Sequence, residues 1–87
     1  MLFRSTALTA IDVFDFKDVL EVKRIITVGQ TVDFKLNEKL TFESLLYAIL
    51  IHSGNDAAYV IADNYPGGYD SFMDAMNRKA KSLGMTN

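Results

Sequence analysis

Cysteine and tryptophan are missing from this chain of 87 residues, and His52 and Pro66 are its sole histidine and proline. Without cysteine there is no disulfide framework and no thiolate metal site, and one imidazole cannot build a zinc site of the usual kind. No metal or other cofactor is expected. No apolar run approaches the ~20 residues of a membrane span, and the opening Met1-Leu2-Phe3-Arg4 lacks the apolar core of a signal peptide. Positive charge is not in excess: the net charge is −2, and no basic patch is visible that could grip phosphates, so a nucleic-acid partner is not expected. A chain this short makes one small domain at most and buries only ~60% of the surface its unfolded state exposes. Yet 49% of the residues are hydrophobic and 11% aromatic, which is rich for so thin a core. That surplus predicts an apolar face awaiting another surface.

The apolar residues are ordered. Phe42, Leu45, Leu46, Ile49 and Leu50 recur at helical spacing, and Tyr47, Ala48 and Ile51 fill much of the remaining circumference, predicting a central helix buried nearly all round. Thr41 is its natural N-cap, with Glu43 in the first turn. The helix stops at Ser53-Gly54-Asn55, where Asn55 or Ser53 can cap the next helix and Asp56 suits that helix's dipole. Ala57, Ala58, Ile61, Ala62 and Tyr65 continue to Asn64-Tyr65-Pro66-Gly67-Gly68, a stop signal. A third helix carries Tyr69, Phe72, Met73, Met76, Ala80 and Leu83, with Lys79 and Lys81 at a solvated end and Gly84 as its C-cap. Methionines and aromatics at that period read as core.

Upstream, Ala7, Ala10, Ile11 and Phe14 predict an amphipathic helix within residues 1–18. The region 19–40 reads as a β-hairpin: one strand from Val19 through Val22, Ile25 and Val28 to Gly29, and a second extended piece over Thr31 to Lys35. Asn37-Glu38 is a turn candidate, since Asn tolerates the left-handed conformation. Asp12, Asp15 and Asp18 lack the glycine and spacing of a calcium loop and read as surface. His52 beside Ser53 has no orienting third group and reads as a partly exposed turn residue rather than a catalytic base.

The stretches Leu40-Thr41-Phe42-Glu43-Ser44-Leu45-Leu46-Tyr47-Ala48, Ser53-Gly54-Asn55-Asp56-Ala57-Ala58, Phe72-Met73-Asp74-Ala75-Met76-Asn77 and Ala80-Lys81-Ser82-Leu83-Gly84-Met85-Thr86-Asn87 resemble the serine-type D-alanyl-D-alanine carboxypeptidases, the low-molecular-mass penicillin-binding proteins. The resemblance implies an α+β, mainly helical fold. Residues 1–87 would then be a single partial domain, the helical subdomain of the penicillin-binding-protein and β-lactamase-like fold, with residues 41–87 forming three helices around Ser53-Gly54-Asn55. In that superfamily Ser-x-x-Lys, Ser-x-Asn and Lys-Thr-Gly meet at one cleft. The resemblance assigns Ser53 to proton transfer around the nucleophile and Asn55 to hydrogen bonding with the substrate amide. It also implies a place in the cell envelope, and peptidoglycan peptides or β-lactams as ligands of the full-length parent.

The departures limit this. Ser5, Ser44, Ser53, Ser71 and Ser82 are followed three places on by Leu8, Tyr47, Asp56, Asp74 and Met85, so Ser-x-x-Lys is absent, as is Lys-Thr-Gly. Ser5-Thr6-Ala7-Leu8-Thr9-Ala10 resembles the family's nucleophile helix, but Leu8 or Thr6 stands where its lysine belongs. An acyl-enzyme needs an activated hydroxyl. The expectation is therefore a fragment of the carboxypeptidase, inactive alone. The alternative is a non-catalytic module derived from that lobe, binding a partner or forming a homodimer through the uncovered apolar face, with residues 2–14 the likeliest to pack in a non-family way.

Overall fold

Thr41 sets the start of the central helix. Its backbone is extended, and its hydroxyl accepts the amide of Ser44 at 3.2 Å, satisfying one donor that the first helical turn leaves free. The computed structural model describes residues 3–84. The order is α1 (Phe3–Ile11), β1 (Val19–Glu21), β2 (Lys39–Thr41), α2 (Phe42–His52), α3 (Asn55–Asn64) and α4 (Gly68–Ser82). Two short antiparallel strands, pairing Val19 with Thr41 and Glu21 with Lys39, are the sheet. The fold is mainly helical, with this strand pair on one side. Leu2 and the closing Met85-Thr86-Asn87 lie outside the described residues.

The core is where α1, α2, α3 and α4 meet. Phe42, Leu45 and Ile49 of α2, Ile61 of α3 and Phe72 of α4 are at most 1% exposed. Tyr65 joins two parts of it: its ring lies edge-on to Phe72 at 5.1 Å and to Phe14 at 6.3 Å, and Phe14 in turn tilts against Phe42 at 5.3 Å. The α3–α4 corner is made by Pro66 and Gly67. Gly67 has φ +89°, and a Cβ there would come within 2.3 Å of the Ser71 hydroxyl, so only glycine fits. The Cα radius of gyration, 11.9 Å, equals the ~12 Å expected of a compact chain this long.

Several expectations need correction. The strand read from Val19 to Gly29 is only Val19–Glu21, and Thr31 to Lys35 is irregular; β1 pairs instead with Lys39–Thr41, closing residues 22–38 into a long excursion. β-Branched content misled here because Ile25 and Val28 are 52% and 74% exposed and make no ladder. The turn at Asn37 is as expected, with φ +67°. Second, α2 is not buried all round: Tyr47, Leu50 and Ile51 are 62–66% exposed. They form one outer stripe opposite Phe42, Leu45 and Ile49. Third, α1 turns Ser5, Thr6 and Thr9 inward together with Ala7 and Ala10, while Ile11 is half exposed. Close packing against α4 selects small side chains, and the hydroxyls are satisfied within the helix or against α4: Thr9 donates to the Ser5 carbonyl and Thr6 to the Met76 sulfur. Fourth, neither Ser53 nor Asn55 caps α3; Gly54 occupies the N-cap and gives no side-chain bond.

At the far end, α4 carries Lys79 and Lys81 in its last turn, and Gly84 follows with φ +69°. Lys79 pairs with Asp12, tying α1 to α4. Leu83, expected on the buried face, is 51% exposed because α4 ends at Ser82; Leu83 takes the C-cap place expected of Gly84. Among the described residues no helix is long and apolar enough to cross a membrane.

Candidate functional site

The site grows from the end of α2. Ser53 is its C-cap, in the left-handed region at φ 51°, ψ 40°, and the amides of Ser53 and Gly54 both turn back to the carbonyl of Ala48. This winds the chain tightly and leaves Ser53 exposed. Gly54 is buried beneath it. Its φ is ordinary, so freedom is not the reason for glycine; a Cβ there would sit 3.2 Å from the Ala48 carbonyl oxygen. The serine is thus lifted outward on a turn whose floor would hold a Cβ only in tight contact with the Ala48 carbonyl.

Asn55 opens α3 with its backbone N–H donating to the Gln30 carbonyl at 2.7 Å and its side-chain Nδ2 donating to the Val28 carbonyl at 2.8 Å. One amide hydrogen is therefore spent on holding the side chain. An asparagine carries a second N–H and a carbonyl oxygen, the groups that can receive and donate to an amide. Ser53 and Asn55, the two residues singled out in the sequence, are brought together as neighbours on one rigid turn.

The residue that sequence reasoning missed is Asp56. Expected only to suit the helix dipole, Asp56 is buried, 4% exposed, and its carboxylate works as a clamp. One oxygen or the other accepts from the amides of Val32 (3.1 Å), Asp33 (3.0 Å) and Ala57 (3.0 Å). Charge-assisted bonds of this kind are the strong ones. They press residues 28–34 onto the start of α3, where the Val28 and Gln30 carbonyls meet Asn55. The only sequence signal was an acid directly after the asparagine; its partners, unpaired amides in a distant irregular segment, leave no local trace.

A second clamp holds the same excursion nearer β1. Arg24 grips Asp63 of α3 side-on, Nε to Oδ2 at 2.9 Å and Nη2 to Oδ1 at 3.0 Å, with its guanidinium 4.9 and 5.0 Å from the ring centres of Tyr59 and Tyr69. The hydrogen bond to Asp63 raises the Arg24 pKa above its ordinary value, against a smaller opposing effect of burial. Burial first, then the hydrogen bond with Tyr59, pushes the Tyr69 phenol up. Asn64 completes the fastening by accepting from Glu21 N–H and donating to its carbonyl.

Other candidates are not assembled. His52 ends α2, exposed, and is not held by a carboxylate among the described residues. Ser5 is 2% exposed on the inner face of α1, unsuited to meeting a substrate. Asp12, Asp15 and Asp18 are exposed, and among the described residues no group of three or more His, Cys, Asp or Glu side chains is placed to hold a metal ion.

A helical lobe presenting Ser-Gly-Asn on the turn between two core helices is the arrangement of the penicillin-binding-protein fold. The chain belongs to the D-alanyl-D-alanine carboxypeptidase family, which it matches over residues 9–87. The D-alanyl-D-alanine endopeptidase of Escherichia coli is 40% identical over 90 residues, an alignment taking in 95% of this chain and 29% of that protein. Among solved structures, an evolved penicillin-binding protein homologue from Mycobacterium tuberculosis superposes with a TM-score of 0.83 at 33% identity, over 94% of this chain and 32% of the other. The D-alanyl-D-alanine carboxypeptidase DacD of Francisella tularensis shares the fold at TM-score 0.82 and 24% identity, over 98% and 22%. The chain spans less than a third of the length of these relatives.

Proposed function

We propose that these residues serve as the Ser-x-Asn lobe of a serine-type D-alanyl-D-alanine peptidase that acts on peptidoglycan stem peptides in the cell envelope. The observation that carries this is the Ser53-Gly54-Asn55 turn: a hydroxyl raised into solvent, beside an amide already fixed by one bond to Val28. A hydroxyl both accepts and donates, so Ser53 can take a proton arriving from a nucleophile and pass it to the departing amine. Asn55 orients the substrate peptide with the hydrogen-bonding groups left to it. Attack on the carbonyl requires an activated nucleophile, and with no Ser-x-x-Lys in the 87 residues that step belongs to other residues.

Two measurements test the reading. The chain alone should give no stoichiometric mass adduct with a labelled β-lactam; an adduct would mean that one of its own serines is an unsuspected nucleophile. A chimera of the Escherichia coli endopeptidase carrying residues 9–87 in place of its matching segment should retain peptide hydrolysis. In that chimera Ser53→Ala should lower kcat by about 10²-fold or more. A folded chimera indifferent to Ser53→Ala would defeat the assignment.

A further inference from the structure

The first turn of α3 reads one stretch of the excursion by polarity. Asn55, which carries donors, takes two carbonyls: Nδ2 donates to Val28 at 2.8 Å and the backbone N–H to Gln30 at 2.7 Å. Asp56, an acceptor alone, takes the amides of Val32 and Asp33 at 3.1 and 3.0 Å. A shift along the segment would set amide against amide and carbonyl against carboxylate, so this pair fixes which carbonyl stands over Asn55. Between the two carbonyls lies Gly29, at φ +75°; a Cβ there would stand 3.5 Å from Asn55 Nδ2 and 3.7 Å from Asn55 Cβ and Cγ. That contact is an ordinary one, but the left-handed backbone would strain an alanine. The Val28 carbonyl can only accept, so it selects one orientation of the Asn55 amide: nitrogen toward the excursion, because the flipped form would face oxygen with oxygen. Oδ1 and the second N–H of Nδ2 take no partner among the described residues.

We infer that Gly29 is a positioning residue for Asn55. The φ of Gly29 sets how the Val28–Gly29 peptide plane is turned, and at +75° the Val28 carbonyl meets Nδ2. The side chain is thereby held, before any substrate arrives, in the one orientation that leaves Oδ1 and a single N–H for a ligand. Asp56 acts on the same bond at one remove, by fixing the register of the segment. Neither residue touches the substrate. Their effect is preorganisation: a loose side-chain amide has to be ordered when it binds, and that ordering weakens the interaction, whereas an amide already fixed gives its full strength. The kinetic consequence rests on the reading of Asn55 as the residue that meets the substrate peptide; the geometry stands without it.

Side-chain nitrogen relaxation, measured by NMR on the whole chain, tests the geometry without any substrate. The Asn55 amide should show an order parameter near the ~0.85 of rigid backbone, and that of exposed Asn77 one below ~0.6. Gly29→Ala should bring Asn55 below ~0.6 as well. Gly68→Ala, at φ +85° with open space around it, puts a like backbone strain beyond the far end of α3 and should leave the Asn55 amide rigid. In the Escherichia coli endopeptidase chimera, Gly29→Ala should lower kcat/KM by about tenfold or more. That effect should vanish in an Asn55→Ala background, because the two substitutions remove the same thing. An Asn55 amide as mobile as that of Asn77 in the unsubstituted chain overturns the inference, whether or not the variants fold. So does an amide that Gly29→Ala leaves rigid or that Gly68→Ala loosens equally, and so does a kinetic effect undiminished by Asn55→Ala. A folded chimera indifferent to Asn55→Ala would instead defeat the peptidase reading, with the relaxation result still deciding the positioning.

Discussion

At the scale of single residues, Asp56 and Gly54 determine the shape of the candidate site. Removing the carboxylate with Asp56→Ala strips partners from the Val32 and Asp33 amides. The expected loss is ~2–4 kcal/mol, measured by urea titration. Asp56→Asn should lose nearly as much, because its NH2 group faces donors that need an acceptor. Gly54→Ala forces a methyl to 3.2 Å from the Ala48 oxygen, and a cost of about 1–2 kcal/mol is expected from the same titration. Tyr69 gives a pH dependence with a definite sign. Its phenol is raised above the ordinary 10.0, so the folded chain holds that proton more tightly than the unfolded chain does. Its contribution is intact below about pH 10 and is lost as the pH climbs through the higher folded value. Tyr69→Phe should flatten the alkaline fall in the urea midpoint; an unchanged fall would assign it to other groups.

At the scale of elements, α2 has two unlike faces, and substitutions should sort accordingly. Ile49→Ala, at a position 1% exposed, is expected to cost ~2–5 kcal/mol, a large part of what holds a domain of this size together. Tyr47→Ala should stay within ~0.5 kcal/mol. Thr41→Ala, which deletes the 3.2 Å bond to Ser44, should cost ~1 kcal/mol. Denaturant midpoints for the three variants check the order. If Tyr47→Ala cost as much as Ile49→Ala, the assignment of faces would be reversed.

Across the whole molecule, what was legible in the sequence was what local physics determines. Thr41, Asn37 and the Pro66-Gly67 corner act within a few residues of themselves, and the helices they bound lie where periodicity placed them. That α2 stops at Ser53-Gly54-Asn55 was legible too, but the capping role expected there of Ser53 or Asn55 was not, because Gly54 takes the N-cap and both side chains are left to other partners or to solvent. The 22–38 excursion was not, because its geometry is imposed from outside: Val28 and Gln30 answer to Asn55, Val32 and Asp33 to Asp56, and Arg24 to Asp63, partners 23 to 39 positions away. The outer stripe of α2 was misjudged because a helical period marks which residues are apolar and cannot say how many neighbours exist to cover them. Those distant fastenings also set an order of events. Contacts close in sequence, as between α2, α3 and α4, form early, whereas closing a long loop costs entropy before its contacts repay it. The excursion should dock last and, by the same energetics, let go first. Amide hydrogen exchange at Val32 and Asp33 should then run through a local opening of lower free energy than that of the α2 and α3 interior. The Ser53–Asn55 turn would lose its outer wall while the helices behind it are still intact.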